Sequence, residues 1–303
     1  MSRTTLVSQA VGSAIEAAAA WLLDIAERAH AADELRPEGY LGVLLGLQVA
    51  TNAGVDEAVE PLARWSLRTA ARLEADGPGG TFDPFEHDPR LVLLDALTMT
   101  AHDVPCGVVS RFAAEVRAAL DGPEPVHPAF GAEHALLTAL GRAPTAPMRP
   151  LRLADLPVAP FDLLVAESAR RRVTDLVAGA TRLGQCPPPR SVRAALRDVL
   201  GALTLQAFKD YDLVRGCELL RTLRYLRVHH RGEEAGYAVS YLLSQQRADG
   251  RFGYLSEELA GRPVESPDLQ VYLPLTVSAI WALAETSVSG FSLLPTDELA
   301  LRR

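Results

Sequence analysis

The sequence contains few cysteines and no long apolar run. Its three cysteines, Cys106, Cys186 and Cys217, are odd in number and widely spaced, which argues against a disulfide framework and favours a reducing compartment. No apolar run reaches about eighteen residues, so no membrane-spanning helix is expected. Glu16 and Asp24 interrupt the apolar pattern that a secretion signal needs. These absences together predict a cytoplasmic protein.

An excess of positive charge is also absent. The 303 residues carry a formal net charge of −8, which excludes a generic nucleic-acid-binding protein, because no surplus of cations is available to displace counterions. The charge is uneven along the chain. Residues 1–150 hold 20 acidic residues and 11 arginines, whereas residues 151–303 hold 18 acidic residues and 19 arginines and lysines. The acidic N-terminal half is therefore a candidate surface for a protein partner.

Helical periodicity dominates the chain. Apolar residues recur at spacings of three and four, and no stretch alternates with the period of two that a strand requires. The sequence therefore predicts an all-α fold. The predicted helices lie near 5–31, 38–52, 56–75, 89–102, 105–120, 129–141, 161–182, 190–208, 210–228, 233–247 and 270–286.

A proline-rich stretch interrupts this pattern. Residues 141–160 contain five prolines, and so long a loop is unusual in an ordered domain unless it has a structural reason. We predict one domain over residues 1–303, with residues 141–160 crossing one of its faces. The alternative is two helical halves, 1–140 and 161–303, joined by this stretch.

Two segments have similar sequences. Residues 73–82, Leu-Glu-Ala-Asp-Gly-Pro-Gly-Gly-Thr-Phe, and residues 245–254, Gln-Gln-Arg-Ala-Asp-Gly-Arg-Phe-Gly-Tyr, each combine a helix end, an Ala-Asp-Gly turn and an aromatic residue before another helix. The second copy resembles the glutamine–tryptophan repeat of the (α/α)-toroid superfamily, which includes squalene–hopene and related terpene cyclases and the protein prenyltransferase β-subunits. Phe252 stands where tryptophan is usual.

The resemblance implies an (α/α) toroid, or barrel, of about five to six helical hairpins with alternating outer and inner helices. It also implies a structural role for the motif itself, with Gln246 bonding backbone groups and Asp249-Gly250 forming the turn. The inner helices would start around one mouth of the ring. The candidate ligand-binding residues at these starts are Tyr40, His87, His134 and Tyr272. The predicted helix at 161–182 has no partner in this alternation. Either residues 143–160 or the C-terminal tail supplies one, or the alternation fails in the middle of the chain.

One helix start resembles the acid motif of the class II terpene cyclases. That motif is Asp-x-Asp-Asp, and the chain has Asp210-Tyr211-Asp212 followed by Leu213, so the final aspartate is missing. The resemblance implies Asp212 as the catalytic acid, flanked by Asp210, with Tyr211 beside them. An acid that protonates an alkene or epoxide must be kept protonated in dry surroundings.

Arginines on the same helix are the other candidates. Arg221, Arg224 and Arg227 share this helix. Arg224 and Arg227 fall beside its apolar stripe and could hold a ligand carboxylate or phosphate if the helix lines a cavity. Glycine-rich phosphate loops, zinc-binding spacings and aspartate-rich magnesium motifs are absent, so neither a cofactor nor a metal is expected. Aromatic residues make up only 6% of the chain, which leaves few ring faces to stabilise a carbocation.

Two functions are consistent with these features. The first is an enzyme of bacterial specialised metabolism, similar to the terpene cyclases, that cyclises or otherwise acts on an apolar or polyketide-like small molecule by acid catalysis in a central cavity. The second is a non-catalytic toroid that binds a peptide or protein through its acidic N-terminal half. A central cavity lined by Asp212 and at least two other predicted residues would favour the enzyme. A channel filled by leucine and alanine side chains would favour the binding protein.

Overall fold

The computed structural model describes residues 3–76, 83–228, 233–253 and 266–287. These ranges contain no strand, only two isolated β-bridges, and the all-α prediction is therefore confirmed. Short 3₁₀ turns and one π-helical turn, Asp268–Tyr272, separate or precede the helices. The α-helices are α1 (Arg3–Ala31), α2 (Pro37–Asn52), α3 (Val59–Ala75), α4 (Pro89–Ala101), α5 (Gly107–Leu120), α6 (Gly131–Ala139), α7 (Glu167–Ala180), α8 (Arg190–Lys209), α9 (Leu213–Tyr225), α10 (Glu233–Ser244) and α11 (Leu273–Ser287).

Local chemistry fixes several of the helix starts. Pro37 and Pro89 occupy the first turns of α2 and α4, where a missing backbone N–H costs no hydrogen bond. The Asp88 side chain caps α4 by accepting a hydrogen bond from the Arg90 backbone N–H at 3.0 Å. Asp212 caps α9 in the same way, accepting from the Arg215 N–H at 3.1 Å.

Six helices pack against one another in a closed circuit. In order, α2 contacts α4, α4 contacts α6, α6 contacts α7, α7 contacts α9, α9 contacts α11, and α11 returns to α2. A close approach of backbones allows the contact between α6 and α7. A Cβ on Gly131 would overlap the carbonyl oxygen of Gly179, and a Cβ on Gly179 would overlap that of Pro128. The circuit joins helices from both halves of the chain.

The other helices pack outside this circuit. Helix α1 contacts α2, α10 and α11, α3 contacts α2, α4 and α5, and α8 contacts α9 and α10. The proline-rich segment, residues 141–160, contacts helices near both of its ends. Arg142 donates to the carbonyl oxygen of Ser110 on α5 at 2.7 Å, and the 3₁₀ turn Pro160–Leu164, which begins where the segment ends, packs on α7 and α8. This turn is therefore a neighbour of α7 that the sequence left unassigned.

The Gln-x-x-Asp-Gly-x-Phe motif joins α10 to both α1 and α11. The Gln246 side chain donates to the carbonyl oxygens of Ala14 in α1 and Gly250, at 2.7 and 2.9 Å. Gly250 has a φ of +97°, a conformation that L side chains rarely adopt, and a Cβ there would overlap the Ala17 carbonyl. Phe252 is fully buried, and its N–H donates to the Thr276 hydroxyl at 3.1 Å. These contacts confirm the predicted structural role of the motif, while most of the first copy lies outside the described residues.

The buried apolar residues form one connected cluster that is mainly leucine, valine and alanine. Burying such side chains provides the main favourable term in folding. Among the helices that the structure describes, none is both long enough and apolar enough to cross a membrane.

Candidate functional site

A cavity of about 700 Å³ lies inside the circuit of six helices. Its lining residues occupy one face of each contributing helix, at positions 38–45 of α2, 90–95 of α4, 171–178 of α7, 214–225 of α9 and 274–281 of α11. The residues just before two helix starts, His87, Asp88 and Asp212, line it as well. The cavity is therefore lined by the earlier parts of α2, α4 and α11, by the later part of α7 and by the whole length of α9. Its volume falls in the range of small-molecule binding sites.

Charged side chains at the helix starts are paired with one another. The Arg90 guanidinium contacts the carboxylates of Asp88 at 2.5 Å and Asp175 at 2.8 Å, and Arg215 contacts Glu218 at 2.6 Å. Burial disfavours the charged form of Asp88, but the hydrogen bonds and charge of Arg90 outweigh that effect and lower the pKa of Asp88. These arginines are neutralised by their own neighbours, so little of their charge is available to a ligand.

Asp95 differs from every carboxylate at the helix starts. It lines the cavity two helical turns beyond Asp88, about 10 Å further along α4. Asp95 is 1% exposed, and neither of its carboxyl oxygens has a hydrogen-bond partner among the described residues. Burial raises the pKa of Asp95 well above its usual value. The surroundings of this carboxyl group therefore favour its protonated form.

An arginine and an aromatic ring form another part of the wall. The Arg221 guanidinium carbon lies 4.1 Å from the centroid of the Trp281 ring, which is a cation–π contact. Arg221 also approaches the Ser278 hydroxyl at 3.4 Å. Within the described residues, no carboxylate lies within ion-pair distance of Arg221, in contrast to Arg90 and Arg215.

A buried glutamate supports this wall from behind. The indole N–H of Trp281 and the hydroxyl of Tyr225 both donate to Glu285 Oε1, at 3.3 and 3.2 Å. Burial raises the pKa of Glu285 to about 8, even though Trp281, Arg221 and Tyr225 each favour its charged form. Because Trp281 and Tyr225 also line the cavity, Glu285 fixes the orientation of its only two described Trp and Tyr rings.

Two of the sequence-predicted residues line the cavity. His87 does so with its Nε2 3.8 Å from a Glu38 carboxylate oxygen, and Asp212 does so as the N-cap of α9. Asp212 is exposed, so it lacks the dry surroundings that an alkene-protonating acid requires. Asp210 is also exposed, ends α8 and accepts a hydrogen bond from Gln206 at 2.6 Å. The two aspartates thus act as helix-end groups in contact with water.

The other predicted residues lie outside the cavity lining. Tyr40 packs between α1 and α3, where its hydroxyl is 2.7 Å from His30 Nδ1 and its ring meets Trp65. Tyr211 is 51% exposed and contacts Tyr241, and Tyr272 is buried beneath the Arg251 guanidinium. The remaining two are half-buried His134, whose pKa is lowered by burial, and buried Arg224, which donates to the Glu285 backbone oxygen at 2.8 Å.

The sequence analysis did not select Asp95, although a signal for it exists. Asp95 is the only charged residue between Leu91 and Ala101, and Leu93, Leu94, Ala96 and Leu97 surround it in the sequence. A helix that is apolar on every side is a buried helix, so a lone carboxyl within it must also be buried. The sequence favoured Arg224 over Arg221 as a ligand-binding residue because the apolar stripe of α9, and not its polar groups, was expected to face the centre of the ring.

The described residues were searched for a metal site, and the chain was compared with known proteins. Across the ranges that the structure describes, no three histidine, cysteine or carboxylate side chains come together as metal ligands would. Comparison with protein-family models, with curated proteins and with solved structures finds no match for this chain.

Proposed function

We propose that the chain is a single-domain (α/α) toroid that binds a small molecule in its central cavity, and that Asp95 transfers a proton to that molecule. The closed circuit of α2, α4, α6, α7, α9 and α11, with further helices outside it, supports the toroid. The observation that carries the function is the Asp95 carboxyl group, which is 1% exposed, has no hydrogen-bond partner among the described residues, and belongs to a residue of the cavity lining.

The surroundings of Asp95 favour proton donation over a structural role. A buried polar group without a hydrogen-bond partner lowers the stability of the folded state by about 1–3 kcal/mol, so such groups are rare in native proteins. One that is present calls for a reason other than stability. A neutral carboxylic acid near physiological pH is also the form that a general acid needs. The resemblance to terpene cyclases implied Asp212 and Asp210 as the acids, but both are exposed, and we assign the proton donor to Asp95 instead.

The part of the cavity wall formed by Arg221 and Trp281 limits which reactions the cavity can support. Of the two Trp and Tyr rings in the described lining, Trp281 already carries the Arg221 cation at 4.1 Å. A carbocation formed beside that ring would be repelled by Arg221 instead of being stabilised by the ring face. We therefore favour protonation of a carbonyl, hydroxyl or epoxide oxygen in a polyketide-like molecule over cyclisation of a polyprenyl chain.

The open cavity favours the enzyme over the non-catalytic binding protein. A charged mouth and an apolar interior suit a partly oxygenated small molecule, whereas the binding protein was expected to have a channel filled by leucine and alanine. Only His87 accompanies Asp212 in the lining, so the expected set of Asp212 with at least two other predicted residues is not found there. The support for the enzyme comes instead from Asp95 and from the cavity itself.

The test follows small molecules in an extract of the organism that encodes the chain. The extract is incubated with wild type, Asp95→Asn, the double variant Asp210→Asn, Asp212→Asn, and Asp198→Asn as a control whose side chain is 90% exposed on α8. Mass spectrometry then compares the compounds that each protein consumes. We expect consumption by every protein except Asp95→Asn. Equal consumption by Asp95→Asn, or loss only in the double variant, would refute the assignment.

A further inference from the structure

Among the described residues that line the cavity, Arg171 and Arg221 have no carboxylate within ion-pair distance, and Arg221 is the more buried of the two. We propose that Arg221 is an anion-binding subsite, and that the molecule bound in the cavity carries a carboxylate at the end opposite the group that receives the Asp95 proton. This inference rests on the proposed function and adds the chemical class of the ligand to it.

The hydrogen-bond donors of Arg221 favour the binding of an anion. A guanidinium has five N–H donors in a planar fork that matches a carboxylate. For Arg221, the described residues provide one long hydrogen bond, to Ser278 at 3.4 Å, and a cation–π contact with the Trp281 ring at 4.1 Å. Most of its N–H donors are thus left for a ligand, while the contact with Trp281 restrains the guanidinium.

The second argument is the depth of Arg221 in the cavity. It lies nine residues beyond the Asp212 N-cap, or about 14 Å along α9, and is half-buried. An ion pair formed there is less screened by water and salt than one at the mouth. Arg171, which also lines the cavity, is exposed near the start of α7 and is the natural comparison.

The third argument is the position of Arg221 relative to Asp95. Helices α4 and α9 are three places apart in the closed circuit of six, which puts them on opposite sides of the cavity. Neighbouring helix axes are about 8–10 Å apart, so opposite axes in such a ring are about 16–20 Å apart. A carboxylate held by Arg221 therefore places the far end of a molecule of one or two rings at Asp95.

Two fluorescent probes that differ only in charge test this subsite. 1-Pyrenebutyrate carries a carboxylate, and 1-pyrenebutanol has a neutral hydroxymethyl group in its place. We expect Arg221→Gln to weaken 1-pyrenebutyrate binding about 10- to 100-fold, because a charge-assisted pair is lost, and to change 1-pyrenebutanol binding less than about threefold. Arg221→Lys keeps the charge without the fork and should lose part of the affinity. Arg171→Gln should weaken 1-pyrenebutyrate binding less than Arg221→Gln does, because Arg171 is exposed. The control Arg197→Gln, whose side chain is 59% exposed on α8 outside the cavity lining, should change the binding of either probe less than about threefold.

A blocked cavity shows where the probes bind. A Cβ on Gly42, which lines the cavity, would have no atom within 4 Å, so Gly42→Phe fills the space without a clash at the helix. Binding of both probes should be lost in Gly42→Phe. Suppose that both probes bind wild type and that Gly42→Phe abolishes their binding, but that Arg221→Gln weakens both probes equally or neither of them. The anion subsite is then refuted, while the proposed function stands. If neither probe shows Gly42→Phe-sensitive binding, the proposed function itself fails.

Discussion

Replacing Asp95 with asparagine should make the protein's stability less dependent on pH. The substitution preserves the shape of the side chain and removes its ability to ionise. The wild-type carboxyl is 1% exposed, has no hydrogen-bond partner among the described residues, and its pKa is raised well above 3.8 by burial. The amide of asparagine is also unpartnered at this position, which costs about 1–3 kcal/mol but does so equally at every pH.

The sign and size of the effect follow from proton linkage. Folding raises the pKa of Asp95, so the folded state binds this proton more tightly than the unfolded state. Below a pH of about 4 both states are protonated and the effect is absent. Between that pH and the raised folded-state pKa, the free energy of unfolding falls by about 1.4 kcal/mol for each pH unit as pH rises. Asparagine contributes no such decrease.

Urea unfolding at pH 5, 6 and 7 measures this difference. We expect the free energy of unfolding of Asp95→Asn, relative to wild type, to rise with pH, at up to about 1.4 kcal/mol per pH unit while the folded-state carboxyl group remains protonated. The raised pKa values of Glu133, about 7, and Glu285, about 8, act in both proteins and cancel in the comparison. Asp155→Asn is the control, because the Arg149 hydrogen bond lowers the pKa of Asp155 to about 2, so its difference from wild type should stay constant over this range. A constant difference for Asp95→Asn would refute the claim of a protonated acid.

Two further predictions concern glycines. Gly42→Ala should raise the free energy of unfolding by about 0.5–1 kcal/mol, because alanine has a higher helix propensity than glycine and its Cβ enters open space. Gly12→Ala on α1, where a Cβ also has no atom within 4 Å, should give a similar gain. A loss of stability in Gly42→Ala alone would contradict the presence of the cavity. Gly250→Ala should lower the free energy of unfolding by more than Gly141→Ala, by about 1–3 kcal/mol. Both glycines have positive φ, but only at Gly250 would a Cβ overlap a backbone carbonyl, that of Ala17, and equal losses in urea unfolding would contradict that docking.

The sequence predicted the helices well because helical periodicity and capping are local properties. Pro37, Pro89 and the Asp88 cap mark helix starts that depend on only a few neighbouring residues. The packing of the Pro160–Leu164 turn on α7 could not be predicted in this way. The proline-rich segment has no periodicity, and its position depends on distant contacts such as that between Arg142 and Ser110.

The cavity residues were harder to predict because lining depends on how each helix is rotated about its axis. Tyr40 lies only two residues from Gly42, yet its ring packs between α1 and α3 while Gly42 lines the cavity. The Asp210-Tyr211-Asp212 pattern drew attention by its resemblance to a known acid motif, but helix-end aspartates are commonly exposed caps. Asp95 carries no motif, and its importance follows from the apolar residues around it.

The infrared spectrum of Asp95 at pH 7 tests the central claim most directly. The difference between wild type and Asp95→Asn isolates this one carboxyl group from the others in the chain. We predict the C=O stretching band of a protonated carboxylic acid, and we predict that this band shifts when 1-pyrenebutanol binds, because Asp95 belongs to the cavity lining. A carboxylate band would contradict the assignment of Asp95 as the proton donor. So would a carboxylic acid band that stays unchanged when 1-pyrenebutanol occupies the site that Gly42→Phe blocks.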